Sequence, residues 1–200
     1  MIPATRPLVV AIAGPNGAGK STFYEAFFSS SGFRFLNADV IARELQLEAY
    51  PAAKVAARLR EELVSRNESF IFETVLSDPV GDKVDQLVRW QDQGYTVVLC
   101  FVGLADASLS DQRVAMRVTQ GGHDVPANKI TERFPRVLAN LRRALGKLGH
   151  VYVFDHSDFR NPYRRIAVYE NGTPIEIASP LPAWFSNVSE PKKSRGKKRR

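Results

Sequence analysis

The sequence predicts an α/β fold: a central, mostly parallel five-stranded sheet flanked by helices, with an arginine-bearing helical lid and a small C-terminal hairpin. Two observations lead there. Hydrophobic periodicity switches repeatedly between short β-rich apolar runs and longer helical patterns, as a parallel sheet with crossover helices requires. The first apolar run, Leu8 to Ala13, also passes directly into Gly14-Pro15-Asn16-Gly17-Ala18-Gly19-Lys20-Ser21 and then into a helical pattern over Thr22 to Phe28.

Each strand is assigned to a short apolar run, because a strand covered on both faces has no polar side to show. The runs are Leu8 to Ala13, Phe33 to Leu36, Phe70 to Thr74, Tyr95 to Val102 and Val151 to Phe154. Between them, Ala52 to Arg66 carries Val55, Leu59 and Leu63 at helical spacing after Pro51. Val80 to Gln93 follows the start signal Asp78-Pro79 and stops at Gly94. A third pattern runs from Ile130 through Phe134, Leu138, Leu141, Leu145 and Leu148 to Gly149, and Pro135 predicts a bend or restart within it. Ile166 to Tyr169 and Ile175 to Ile177, parted by Asn171-Gly172, read as the hairpin.

Gly14 to Ser21 fills every fixed position of the phosphate-binding pattern G-x-x-x-x-G-K-[ST], in the strand, loop and helix context that the chemistry needs. Glycines let successive backbone N–H groups turn toward phosphate oxygens. Lys20 reaches the β- and γ-phosphates of a nucleoside triphosphate, and the Ser21 hydroxyl ligates Mg²⁺. Gly14, Pro15, Asn16, Gly17, Ala18, Gly19, Lys20, Ser21 and Thr22 are therefore the expected ATP-binding residues, with Ser21 on the metal.

Composition narrows the class. The chain has 200 residues, 44% of them hydrophobic and 24% charged, which suits one soluble domain, expected over 1–188. The formal charge of +7 is misleading, because Lys192, Lys193, Arg195, Lys197, Lys198, Arg199 and Arg200 supply all of it; without them basic and acidic residues are equal at 21 each. A disordered basic tail is expected over 189–200, suited to weak polyanion binding or simply to solubility. Cys100, the only cysteine, lies in an apolar run and reads as an inert core thiol. With one Arg before a short apolar N-terminal run, neither a signal peptide nor a membrane span is expected, and a reducing cytoplasm fits.

Other residues fall at strand ends, where open α/β sheets bind ligands. Asp39, after the second strand, is suited to accept the proton of a substrate hydroxyl attacking the γ-phosphate, or to cap a helix over Val40 to Leu47. Glu73, with Thr74, ends the third strand. It would bind substrate hydroxyls, hold a water on Mg²⁺ in the manner of a Walker B acid, or serve as a cap or salt-bridge partner. Asp155 competes for the Walker B role but also suits a turn through Asp155-His156-Ser157-Asp158. Arg113 and Arg117 are four apart on one helical pattern; Arg133, Arg136 and Arg143 share a face of the next with Asn140, and Gly121-Gly122-His123-Asp124-Val125-Pro126 joins the two. Such a charge run is either a solvated helix face or a glycine-hinged flap that delivers cations to the γ-phosphate on closure; the second reading makes Arg113 and Arg117 catalytic candidates, Arg133 an ATP contact and His123, otherwise a structural loop residue, a substrate contact.

Taken in order, these motifs resemble the zeta toxin family of P-loop kinases, in its shorter, Gly-Gly-His branch. The likeness rests on Ala13 to Thr22, Asn37-Ala38-Asp39 with Ile41-Ala42, Glu73-Thr74-Val75-Leu76-Ser77, and Arg113-Val114 leading to Gly121-Gly122-His123-Asp124-Val125-Pro126, and covers roughly Leu8 to Val168. Where the branch often shows Asp-Asn-Ser, this chain has Asp155-His156-Ser157. The resemblance implies a P-loop kinase fold, ATP and Mg²⁺ as cofactors, phosphorylation of a hydroxyl of UDP-N-acetylglucosamine or a related UDP-sugar, and an antitoxin protein as partner. It makes Asp39 the base and puts Glu73 and Thr74 on the sugar nucleotide. A kinase of another small acceptor, such as a nucleoside, an antibiotic or a metabolite, shares every motif. A nucleotide-switched nucleic-acid binder is disfavoured by the neutral body and the lack of a stacking-aromatic module. An ABC-type ATPase is disfavoured by the short chain and the missing Asp-Glu strand end.

Overall fold

The structure, a computed structural model, describes residues 3–119, 121 and 124–189. Its elements run β1 (Leu8–Ala13), α1 (Lys20–Phe27), β2 (Arg34–Leu36), α2 (Ala38–Glu44), α3 (Ala49–Ser65), β3 (Phe70–Thr74), α4 (Asp82–Asp92), β4 (Thr96–Gly103), α5 (Ala107–Thr119), α6 (Ala127–Leu145), β5 (His150–Asp155), β6 (Arg164–Glu170), β7 (Thr173–Ile177) and α7 (Ala183–Ser189). One seven-stranded sheet, in the order β2-β3-β1-β4-β5-β6-β7, carries them all.

β1 is central. Val10 pairs with Ile71 of β3 on one side and Val98 of β4 on the other, both parallel. Alternate residues of a strand face opposite sides of a sheet. Here Val9, Ala11 and Ala13 join one buried cluster with Leu87 and Trp90 of α4 and Val137 and Leu141 of α6, while Leu8, Val10 and Ile12 join another with Phe23 of α1. Both faces are covered, which explains the uninterrupted apolar runs. The Cys100 thiol lies in the second cluster, and burial pushes its pKa up to about 12.

The hairpin does not stand apart from the sheet. β6 pairs antiparallel with β5, Val151 opposite Tyr169, so the expected five parallel strands gain two more and the β5 edge is closed. α7 has no counterpart in the sequence reading. Seven residues show no helical period, yet Trp184, Phe185 and Val188 are buried against the first cluster. Its approach needs Gly103, where a Cβ would strike the Trp184 ring.

Two local expectations are corrected. α6 does not restart at Pro135 but continues through it as one helix, with Pro135 on an exposed face where the carbonyl it leaves unpaired is open to water. The cap of α2 is Asn37, whose Oδ1 accepts from the backbone N–H groups of Asp39 and Val40 at 2.7 and 3.4 Å; Asp39 is left in the first turn with its carboxylate exposed. His123 and residues 190–200 of the basic tail lie outside the described residues. Among the described residues no helix is long and apolar enough to cross a membrane.

Candidate functional site

The loop from Gly14 to Gly19 leaves the carboxyl end of the central strand, where the order of the sheet reverses and a crevice opens. Gly14, Gly17 and Gly19 have φ of 147°, 70° and 81°. Such values are the province of glycine. At Gly14 the demand is doubled, because a Cβ would strike the Val102 carbonyl oxygen of β4. The loop then runs into the N-terminus of α1, whose free N–H groups and dipole favour an anion.

Lys20 opens α1 and is 6% exposed. Its Nζ donates to the Pro15 carbonyl at 3.0 Å and stands 3.6 Å from Glu73 Oε1. Burial pulls the ammonium pKa down from 10.5, opposed by the charges of Glu73 and Asp39 and reinforced by Arg117. A buried cation beside two carboxylates and an arginine is built to meet a further anion.

Glu73 sits at the end of β3, next to β1, with its Oε2 accepting from Ser21 Oγ at 2.7 Å and from Asn37 Nδ2 at 2.9 Å. The carboxylate therefore touches the loop serine directly and lies beside the Lys20 ammonium. Asp155 does not compete there: its Oδ1 accepts from Ser157 Oγ at 2.5 Å and Trp184 Nε1 at 3.0 Å, holding its own turn and α7. A hydroxyl and a carboxylate side by side form a hard oxygen donor set, which fits a Mg²⁺ that takes its remaining ligands from phosphates and water. Among the described residues no group of three or more His, Cys, Asp or Glu gathers as a metal cluster.

A cavity of about 650 Å³ lies over the loop. One wall holds Lys20, Ser21 and Glu73; the other holds Arg113 and Arg117 of α5 and the aromatics of the segment after β5. Arg113 is 7% exposed, with its guanidinium 4.0 Å over the Phe159 ring and Nη2 donating to the Ser157 carbonyl at 3.3 Å. Its Nε and Nη1 are buried without a hydrogen-bonding partner among the described residues. Buried donors are almost always paired in a native fold, so these two await an acceptor.

Sequence reasoning missed the aromatic wall. His156 Nδ1 lies 2.8 Å from the Ala18 carbonyl oxygen and, since a carbonyl only accepts, carries the proton. Tyr163 donates to the Gly19 carbonyl at 2.9 Å, and the two rings lie 4.1 Å apart. Ser110 of α5 donates to the Asn16 carbonyl at 2.6 Å. Three side chains thus hold carbonyls of the phosphate loop in place. The only sequence signal was a polar turn after an apolar strand, which any connection shows.

Arg133 is not in the cavity wall. It lies near Lys83, whose ammonium donates to Thr74 Oγ1 at 2.9 Å. Arg143 donates to the Val80 carbonyl and lies 3.7 Å from Asp85, and Arg136 pairs with Glu132. These two arginines of α6 are engaged away from the phosphate loop.

Residues 9–144 match the AAA domain family. No curated protein matches the sequence. Among solved structures, the AvrRxo1-ORF1:AvrRxo1-ORF2 complex, determined with sulphate ions and with ATP, is similar at TM-scores of 0.71 and 0.70 and 17% identity, over 96% of this chain. The chain spans 66% of that protein's length. The PezAT toxin-antitoxin system of Streptococcus pneumoniae is similar at TM-score 0.54 and 17% identity, over 76% of this chain and 68% of that one. A kinase-like protein of Chloroflexus aurantiacus gives 0.54 and 15%, over 78% of this chain and 91% of its own. At such identity the likeness is one of fold, and that fold is the α/β P-loop kinase type.

Proposed function

The chain belongs to the AAA domain family, matched over 9–144, and from that premise we propose that it is an ATP-dependent kinase of a small molecule. The observation that carries the proposal is the cavity in which Lys20, Ser21, Glu73, Arg113 and Arg117 converge over a glycine-shaped phosphate loop. ATP would lie with its phosphates on the loop amides and its base toward Arg113 and Phe159, whose guanidinium-on-ring pair offers a stacking surface. Ser21 and Glu73 would hold Mg²⁺, which would supply charge neutralisation on the phosphates.

Asp39 is the general base of this reading. Its charge acts on Lys20, the residue expected at the γ-phosphate, which supports that role. The carboxylate takes the proton of the acceptor hydroxyl as that oxygen bonds to the γ-phosphorus; the bond from phosphorus to the β,γ-bridging oxygen breaks and ADP leaves. Lys20 and the α5 arginines offset the charge that develops on the transferred group.

The acceptor we propose is a UDP-sugar such as UDP-N-acetylglucosamine, with Glu73, Thr74 and His123 among its contacts and an antitoxin protein as a partner in the cell. The zeta-toxin-like order of motifs supports this, and the protein would act in the cytoplasm as one kinase domain over 1–188 with a polyanion-binding tail. Incubation with ATP, Mg²⁺ and UDP-N-acetylglucosamine should yield, by mass spectrometry, a product heavier by one phosphoryl group. Lys20→Ala should cut the rate by about 10²-fold or more, the worth of one positioned donor to developing charge. A wild-type rate in that variant would overturn the nucleotide site; a product only from other acceptors would overturn the UDP-sugar and leave the kinase.

A further inference from the structure

Beyond Thr74 the carboxyl edge of the sheet carries a second set of charges that the ATP site does not use. Lys83, in the first turn of α4, donates to Thr74 Oγ1 at 2.9 Å. Arg60 of α3 lays its guanidinium 4.9 Å over the Phe72 ring. Arg133 of α6, Arg60 and Lys20 are all close enough to repel a proton on Lys83, while Asp78 attracts one. Three helices packed on one face of the sheet, α3, α4 and α6, thus bring cations toward the carboxyl end of β3.

The place is rigid. Asn140 of α6 is 5% exposed and donates through Nδ2 to the carbonyls of Leu76 and Asp78, both at 2.9 Å. Arg143, one turn on, donates to the Val80 carbonyl. The β3 to α4 connection that carries Asp78 and leads to Lys83 is therefore fixed to the same helix that brings Arg133.

The cluster is also unfinished. Arg60 Nε and Asp78 Oδ1 are both buried without a hydrogen-bonding partner among the described residues. Glu61, which acts on Arg60, is occupied by Gln86 Nε2 at 2.5 Å and Trp90 Nε1 at 3.4 Å. A buried orphan donor calls for an anionic oxygen; a buried orphan carboxylate oxygen, also acting on Lys83, calls for an O–H or N–H. One ligand answers both, a phosphate ester of a polyhydroxy compound. A carboxylate sugar acid would bring a single charge and only two oxygens to three cations, fewer than a phosphate supplies.

We propose that Lys83, Arg60 and Arg133 bind the phosphate of the acceptor while Asp78 accepts from one of its hydroxyls, so that the substrate class is phosphate-bearing and polyhydroxylated. The proposal rests on the kinase reading above and assigns its acceptor subsite. Thr74, held by Lys83, stands between that phosphate and Glu73 at the phosphate loop, which separates the anchored phosphate from the reacting hydroxyl.

The test fills the ATP site first. With the full chain saturated by Mg²⁺ and the non-hydrolysable analogue AMP-PNP, calorimetric titrations with glucose 1-phosphate, inorganic pyrophosphate, glucose and gluconate should show binding of the two phosphate-bearing probes, with glucose and gluconate at least about tenfold weaker. Lys83→Met should weaken glucose 1-phosphate by about tenfold or more and Lys83→Arg should restore most of the loss, both keeping their AMP-PNP affinity as proof of folding; Arg133→Met gives the same reading should Lys83→Met fail to fold. Equal affinity for glucose, preference for gluconate, no binding of either phosphate probe, or no effect of the variants would each overturn the subsite while leaving the kinase standing. Failure of the wild type to bind AMP-PNP would overturn the kinase reading itself, and the subsite with it.

Discussion

At Asp39 and His156 the chemistry of single groups is most open to experiment. Asp39 lies outside the cavity wall, in a helix turn already capped by Asn37, so it is free of a structural duty at the α2 terminus. Asp39→Asn should therefore leave AMP-PNP affinity unchanged by calorimetry and lower the transfer rate by about 10²- to 10⁴-fold, the usual range for a general base. Loss of affinity with an intact rate would make it a nucleotide ligand instead. His156 is governed by burial, which holds its pKa below the ordinary 6.5, with the Ala18 contact opposing. The folded protein then binds fewer protons at this site than the unfolded chain does, and the site's contribution is full above 6.5 and is lost as pH falls below it. Urea unfolding between about pH 8 and about pH 5 should show stability declining through that window, and His156→Gln, with no titratable ring, should flatten part of the decline.

Among the elements, α6 does more than cover the sheet. Its apolar face supplies Val137, Leu141 and Leu145 to the core, and the same helix fixes the β3 to α4 connection through Asn140 and α7 through Arg142, which donates to the carbonyls of Val188 and Asn187. Asn140→Leu is close in volume but leaves the Leu76 and Asp78 carbonyls without that donor. The expected cost is about 1–3 kcal/mol, the penalty of stranding buried acceptors, read as a lower denaturation midpoint with an unchanged m-value. A larger share of the effect should appear in acceptor binding than in AMP-PNP affinity, because the connection abuts Thr74 and Lys83 and not the phosphate loop.

Over the whole molecule, the last described helix closes a face that the parallel sheet alone leaves open. Trp184 is 5% exposed, packs 6.1 Å from Phe101 by ring centroids, and donates to Asp155 at 3.0 Å. Trp184→Ala should cost about 3–5 kcal/mol by thermal or chemical unfolding, the range for emptying a large aromatic site in a core. Because Asp155 begins the turn that carries His156 to the phosphate loop, the variant should also weaken AMP-PNP binding. A stability loss below about 1 kcal/mol would mean that α7 is a bystander.

By itself the sequence determined the parallel sheet, the loop from Gly14 to Ser21 and an acid, Glu73, at the carboxyl end of a strand; that Glu73 bonds Ser21 of that loop came from the structure. Those features are local: an apolar run covered on both faces, glycines at positive φ, and an acid where a strand must stop all leave a mark within a few residues. Tertiary structure alone decided the rest. Lys83, Arg60 and Arg133 stand 23 and 50 or more positions apart along the chain and read singly as solvated helix charges, and His156 and Tyr163 meet Ala18 and Gly19 across separations of 138 and 144 residues. α7 has no periodicity to find, and its reason to form is the burial of Trp184, Phe185 and Val188 against the first cluster, with Trp184 bonded to Asp155. A contact between distant segments leaves no pattern in either one, so its chemistry becomes readable only when the sheet order has brought the two together.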